Sequence, residues 1–246
     1  MKPLTNKVAI VTGASRSIGR AIAERLAQDG ATVAINYRSG ADEAKEVIES
    51  IKSQGGVAIP IQADVSQVSD IRRLFQTVID QLGQLDILVN NAGIARTALV
   101  AEVTEEDYEA VFGINVRGVL FCLQEAARQM SDNGRIVNVS SSTSVFPSPG
   151  LAVYAASKAA EKLFTEVLAK ELGGRGITVN SVLPGPTSPG MFDSVSAENK
   201  QAAAMSSPFG RLGRAEDIAD VVAFLVSEQA RWITGQHILA NGGATI

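Results

Sequence analysis

Seven short apolar runs punctuate the chain: Val8–Thr12, Thr32–Asn36, Val57–Gln62, Leu85–Asn90, Arg135–Ser140, Ile177–Val182 and His237–Ala240. They are rich in Val and Ile and nearly continuous rather than alternating, the pattern of strands buried on both faces of a parallel sheet. Segments of helical period separate them. In the first, Ile18, Ala21, Ile22 and Leu26 share one face, and Asp29-Gly30 is a stop signal. Further helices are predicted over Asp42–Gln54, Ser66–Leu82, Thr104–Met130, Ala152–Leu172 and Ala215–Val226, with Thr104 and Asp107 as an N-cap pair. So regular an alternation predicts an α/β fold: a doubly wound parallel sheet of about seven strands, with right-handed crossovers and helices on both faces. No Pro/Ser-rich linker interrupts it, so residues 1–246 are read as one domain. The exception to the pattern is Pro184–Gly210, with Pro184, Pro186, Pro189 and Pro208 and weak helical character. A loop this long in a compact domain is usually functional, and residues 186–210 are expected to form a substrate lid.

Composition narrows the function classes. A net charge of −4 offers no bulk attraction to nucleic acid or to anionic membrane, and neither is expected as a partner. No signal-peptide pattern and no apolar stretch near the ~20 residues of a membrane span is seen, so a cytoplasmic location is expected. The single cysteine, Cys122 in VLFCL, cannot form an internal disulfide and reads as a buried structural thiol. His237 is the only histidine, so no Cys/His cluster exists and no metal is expected.

The loop TGASRSIG (Thr12–Gly19) joins the first strand to the first helix. Backbone N–H groups at such a helix start attract an anion, and glycine admits a pyrophosphate where a side chain would block it. Gly13, Ser15, Arg16, Ser17, Ile18 and Gly19 are the expected contacts, with Ser17 placed to cap the helix and to meet a phosphate. The second strand ends in Asn36-Tyr37-Arg38-Ser39, without the carboxylate that binds an NAD ribose. Arg38, joined by Arg16, suits a 2′-phosphate, which favours NADPH/NADP over NADH. Across the switch point of a Rossmann-type sheet, Asn90, Asn91, Ala92 and Gly93 would face the same crevice, and Asp64-Val65 would reach the adenine end.

These motifs, with Asn115, Ser141, Tyr154-x3-Lys158, Pro184-Gly185, RLGRAEDIAD and ITGQHILANGG, closely resemble the short-chain dehydrogenase/reductase family over nearly the whole chain. Within it the sequence is most similar to bacterial reductases of 3-oxoacyl carrier-protein type. The resemblance implies a catalytic set of Asn115, Ser141, Tyr154 and Lys158. Tyr154 would be the general acid in reduction and the base in oxidation, assisted by the Lys158 ammonium. Ser141 would bind the substrate oxygen, Asn115 would support a proton relay through water, and Lys158 would also hold the nicotinamide ribose. Pro184, Gly185 and Thr187 would lie by the nicotinamide. An NADPH-dependent reductase of a small-molecule ketone or 3-oxoacyl substrate follows, with an NAD-linked alcohol or sugar dehydrogenase and a silent dinucleotide-binding regulator as alternatives. A homotetramer is expected. Two positions depart from the family pattern: Ser17 replaces the middle glycine of TGxxxGxG, and Pro189 stands where many relatives have threonine. Met191, Phe192, Met205 and Phe209 in the lid, with Ile94, Phe146 and Val153, point to a partly apolar substrate.

Overall fold

The computed structural model describes residues 2–245. All seven expected strands form: β1 (Val8–Val11), β2 (Thr32–Tyr37), β3 (Val57–Gln62), β4 (Ile87–Asn90), β5 (Arg135–Val139), β6 (Thr178–Pro184) and β7 (His237–Ala240). They make one sheet in the order β3-β2-β1-β4-β5-β6-β7, and every neighbouring pair is parallel. The order reverses between β1 and β4, so the loops leaving these two strands diverge and open a crevice. Val11 pairs with both Ile35 and Val89, which starts the three loops of that crevice at one level.

The helices are α1 (Ser17–Gln28), α2 (Ala41–Ser53), α3 (Val68–Leu82), α4 (Glu105–Phe112), α5 (Val119–Gln129), α6 (Ala152–Leu172), α7 (Ala197–Ser206) and α8 (Ala215–Val226). One sheet face is covered by α1, α2 and α8 through Ile22, Leu26, Val47, Ile51 and Val222. The other is covered by α3, α5 and α6 through Leu74, Phe75, Val78, Leu123 and Leu172. Truncating one fully buried residue here, Leu74→Ala for example, removes about 2–5 kcal/mol of stability. As expected, Asp29 ends α1, Gly30 follows at φ +104°, and Thr104 Oγ1 caps α4 by accepting from Asp107 N at 3.1 Å.

Three features differ from the sequence expectation. The run Thr104–Met130 is not one α-helix: a π-helical segment, Gly113–Gly118, separates α4 from α5 and carries Asn115. Gly118 is needed there, because a Cβ would lie 2.6 Å from the Val65 carbonyl oxygen. Residues 186–210, expected to be a weakly helical lid, contain α7 and a short 3-10 turn at Met191–Ser194. No residue of α7 is buried, so it has no apolar stripe to read; Ala, Glu, Gln, Lys and Met propensity and the Ser196 cap form it. Finally, Glu105–Gln129 is long and apolar enough to cross a membrane by length and composition. Half of its apolar window is buried in the domain, where Cys122 and Leu123 pack on the sheet.

Candidate active site

The first loop is built as a tight cradle. Thr12 Oγ1 accepts from the amides of Asn91 (2.9 Å) and Ala92 (3.0 Å), joining the β1 and β4 loops. Asn91 Nδ2 returns two bonds, to the carbonyls of Thr12 (3.0 Å) and Gly13 (3.2 Å). Asn36 braces the other side: its Oδ1 accepts from Gly13 N, and its Nδ2 donates to the carbonyls of Ile61 and Ala63. Gly13 sits at φ +62°, and a Cβ on Gly19 would come within 2.3 Å of the Gly13 carbonyl oxygen. Helix α1 therefore seats directly on the loop.

Ser17 does not cap this helix. The capping position is Arg16, which is extended and makes no side-chain cap bond, and the helix starts at Ser17. Ser17 holds φ +51°, a left-handed conformation that suits glycine. Its hydroxyl instead faces Gly190, where an added Cβ would lie 3.5 Å from Ser17 Oγ. With no side-chain cap and no acidic residue in the first turn, the terminal N–H groups of α1 remain available to an anion. The cradle thus fits a pyrophosphate.

Arg38 lies in a cleft of about 520 Å3 with Gln62, Asp64, Asp70 and Arg73. Arg16 and Arg38 are exposed, and among the described residues neither enters an ion pair. Arg73, by contrast, is held by Asp70 at 2.8 Å. Asp70 also accepts from Asp64 N at 2.9 Å; this bond, then Arg73, holds its carboxyl below the usual range. Asp64 in turn accepts from Ser66 N.

Several expected cofactor contacts have their side chains engaged elsewhere. Asn90 is buried and donates to Asn138 Oδ1 at 2.9 Å, so its amide points into the sheet rather than the crevice. Val65 packs in the core. Thr187 is buried and its hydroxyl donates to the Gly185 carbonyl at 2.9 Å. Backbone groups alone remain for contact at these three positions. Gly185 packs against Asn241, where a Cβ would lie 2.8 Å from the Asn241 Cβ.

The four expected catalytic residues converge beyond the C-terminal ends of β4 and β5. Ser141 follows β5; its Oγ accepts from Thr143 Oγ1 (2.9 Å) and Thr143 N (3.2 Å), which leaves its own hydrogen to donate. Its rival Ser140 is turned away and donates to the Lys158 carbonyl. Tyr154 and Lys158 share one face of α6, and both are buried, with Nζ 6.0 Å from the centre of the phenol ring. Lys158 Nζ donates to the Val139 carbonyl (2.9 Å) and to Glu161 Oε1 (2.7 Å). A Cβ on Gly93 would lie 3.3 Å from Asn115 Oδ1 and 3.4 Å from Lys158 Nζ, so this glycine leaves room between them. Asn115 is fully buried: it accepts from Ile94 N and donates to the Ile94 carbonyl and to Ser157 Oγ.

Sequence reasoning missed Thr12, Asn36, Asn138, Ser157 and Glu161. Following the buried stripe of α6 one step beyond Lys158 would have found Glu161. Elsewhere, burial pushes the Cys122 thiol up to about 12, consistent with an inert structural role. His237 bridges Ser181 Oγ (2.6 Å) and Glu166 (2.9 Å), but Ser181 is fully buried and no substrate reaches it. Among the described residues no group of three or more His, Cys, Asp or Glu is gathered to hold a metal.

Residues 13–245 match the family model described as enoyl-(acyl carrier protein) reductase. The 3-oxoacyl-(acyl-carrier-protein) reductase FabG of Staphylococcus aureus is 44% identical over 239 residues, covering 96% of this chain and 97% of that protein. An uncharacterised oxidoreductase of Methylorubrum extorquens is 46% identical over 246 residues, 99% of both chains. Among solved structures, the angucycline C-6 ketoreductase LanV with bound NADP superposes with a TM-score of 0.94 at 44% identity, covering 98% of this chain and 96% of that one. A short-chain dehydrogenase of Burkholderia cenocepacia in complex with NADP gives 0.94 at 43% identity, with 98% and 99% covered. With its cradle, its Ser141, Tyr154 and Lys158 at one crevice and these relatives over its whole length, the chain belongs to the short-chain dehydrogenase/reductase family of NAD(P)-dependent oxidoreductases.

Proposed function

We propose that this protein is an NADPH-dependent carbonyl reductase acting on a ketone or 3-oxoacyl substrate. The observation that carries the reading is the meeting of a donor serine, a buried tyrosine and a buried ammonium beside an uncapped helix start. The α1 N-terminus and the Gly13–Gly19 loop would hold the pyrophosphate, and Arg38 and Arg16 the 2′-phosphate. The bound nicotinamide supplies the hydride that reduces the carbonyl carbon. Ser141 donates a hydrogen bond to the carbonyl oxygen as charge develops there. Tyr154 delivers the proton to that oxygen, and the Lys158 ammonium stabilises the phenolate left behind. Asn115 holds the loop at Ile94 against α6; with its amide fully engaged, any relay through water runs along its main chain. Met191, Met205 and Phe209, exposed on the lid, would close over an apolar part of the substrate.

We further infer a homotetramer working in the cytoplasm. Exposed apolar side chains on α5 and α6 (Leu120, Leu163 and Val167) and towards the C-terminus (Phe224 and Trp232) support this reading. Sedimentation equilibrium checks this: a monomer at micromolar concentration sinks it. The activity is checked by NADPH consumption with acyl thioesters, polycyclic aromatic ketones, small ketones and sugars. Turnover of a ketone, falling about 10²–10⁴-fold in Tyr154→Phe, is expected. If NADPH binds but no ketone or alcohol is converted with either cofactor, the enzyme reading fails.

A further inference from the structure

Glu161 lies three residues after Lys158, on the same buried stripe of α6. Both side chains are almost fully enclosed, with relative exposures of 1% and 3%. Oε1 takes the Lys158 ammonium at 2.7 Å, while Oε2 has no hydrogen-bond partner. A carboxylate with one unpartnered oxygen in a dry interior is an expensive arrangement. A neutral residue of similar volume would fill the space, so packing does not account for it. We infer that Glu161 is a positioning residue for the reaction: it is the counter-ion that keeps the buried Lys158 charged and in place beside Tyr154. The inference rests on the reductase reading for its consequence, though not for its geometry.

The electrostatics agree with the geometry. Burial pushes the Lys158 ammonium down, but Glu161, and then Tyr154, outweigh it and leave the group above its ordinary value. Burial pushes Glu161 up to about 7 against the pull of Lys158. Other charges around α6 are remote or committed. β6 has no titratable residue, and the only one on β5, Arg135, sits at its far end on Glu228. Arg117 of the π segment is exposed and bonded to the Ser66 carbonyl. On α5, Cys122 is buried, and Glu125 pairs with Arg72 and Arg128. The α4 groups Glu105, Glu106, Tyr108 and Glu109 are exposed, and Asp107 faces Arg96. Lys158 therefore depends on Glu161 for its charge, and Tyr154 depends on Lys158.

The chain has three tyrosines, so Tyr37→Phe with Tyr108→Phe leaves Tyr154 as the only phenol. Its ionisation is then read directly in the ultraviolet spectrum of the cofactor-free protein. Adding Glu161→Gln should raise the midpoint by about one pH unit, because a buried lysine without its counter-ion sheds its proton. Glu161→Asp, which keeps the charge, should stay near the parent. Glu161→Met serves if the glutamine variant does not fold. In the tyrosine-complete enzyme, alcohol oxidation near neutral pH should fall about tenfold in Glu161→Gln, with its acid limb moved to higher pH. An unchanged or lowered phenol midpoint, or equal shifts in the Asp and Gln variants, overturns the inference. A raised midpoint in a protein that converts no ketone or alcohol supports the inference and refutes only the reductase reading.

Discussion

Gly19→Ala tests whether the cradle is a rigid seat for α1. The added methyl would lie 2.3 Å from the Gly13 carbonyl oxygen and 2.5 Å from Asn91 Nδ2. The first of these atoms is backbone and cannot swing aside. Gly13 is itself held on both sides, its carbonyl accepting from Asn91 Nδ2 and its amide donating to Asn36 Oδ1. Helix α1 must therefore lift, although Ile22 and Leu26 hold it on the sheet with no exposed surface. Overpacking of this kind takes about 1–3 kcal/mol from stability. At roughly 2–4 °C per kcal/mol for a chain of this size, the Tm falls by about 2–12 °C. The Asn91 bonds to the Thr12 and Gly13 carbonyls are disturbed at the same time. The N–H groups that would face the pyrophosphate lose their alignment, and the Kd for NADPH should rise about tenfold or more, equivalent to 1.4 kcal/mol. Differential scanning fluorimetry and quenching of cofactor fluorescence measure the two effects. Gly173→Ala is the control, because nothing lies within 4 Å of its added methyl. A Gly19→Ala protein that melts with the parent and binds NADPH equally well would refute a rigid cradle.

Three further outcomes follow from single positions. Ser17→Gly should stabilise by up to about 1 kcal/mol, since relief of the left-handed φ exceeds the added chain entropy of glycine; a lower Tm would assign the Gly190 contact the greater weight. Arg38→Asp should lower the ratio of kcat/KM with NADPH to that with NADH by at least about tenfold, the weight of one lost charged phosphate contact; steady-state kinetics with both cofactors decides it. Cys122, with its thiol pushed up to about 12, stays protonated in the native state while the unfolded thiol ionises near 9. Stability is therefore lost as pH rises above that unfolded value, by about 1.4 kcal/mol per pH unit. Chemical denaturation at pH 9 and 10 should find a steeper decline in the parent than in Cys122→Ala.

The inner strands β1, β2, β4, β5 and β6 were legible because they are buried on both faces and read as continuous apolar runs. The edge strands β3 and β7 are partly exposed and were legible from their Val, Ile and Leu content and their place in the alternation. The cradle was legible as composition but not as geometry: the capping role given to Ser17 assumed a helix start in which the serine itself is extended, whereas Arg16 takes that place. The π segment leaves no periodic trace, since six residues are too few to displace the apolar stripe of Val116–Met130. Helix α7 was missed for the opposite reason, having propensity without a buried face. Asn90 was misassigned because a polar residue at a strand end reads as a ligand contact, while its bond to Asn138 depends on a strand 48 residues away.

The polar residues hidden in α6 explain how the site is held in register. Its buried positions run Tyr154, Ser157, Lys158, Glu161, Thr165, Leu168, Ala169 and Leu172, a single stripe at steps of three and four widened by the adjacent pairs 157/158 and 168/169. The last three are apolar and anchor the helix in the core. Tyr154 is buried beside the Lys158 ammonium, and Ser157, Lys158, Glu161 and Thr165, which would normally face water, each have at least one polar partner. Ser157 takes a bond from Asn115, Lys158 is held by Val139 and Glu161, and Thr165 takes one from Asn138, itself bonded to Asn90. The chain Asn90–Asn138–Thr165 crosses β4, β5 and α6 and fixes the rotation of the helix about its axis. A turn of one residue, about 100°, would break these bonds and carry Tyr154 away from Ser141. The apolar end thus supplies adhesion without angular precision, and the polar end supplies the angle. Catalytic geometry and buried polar satisfaction are one constraint here, so loss of a distant partner such as Thr165 acts on Tyr154 through the rotation of the helix.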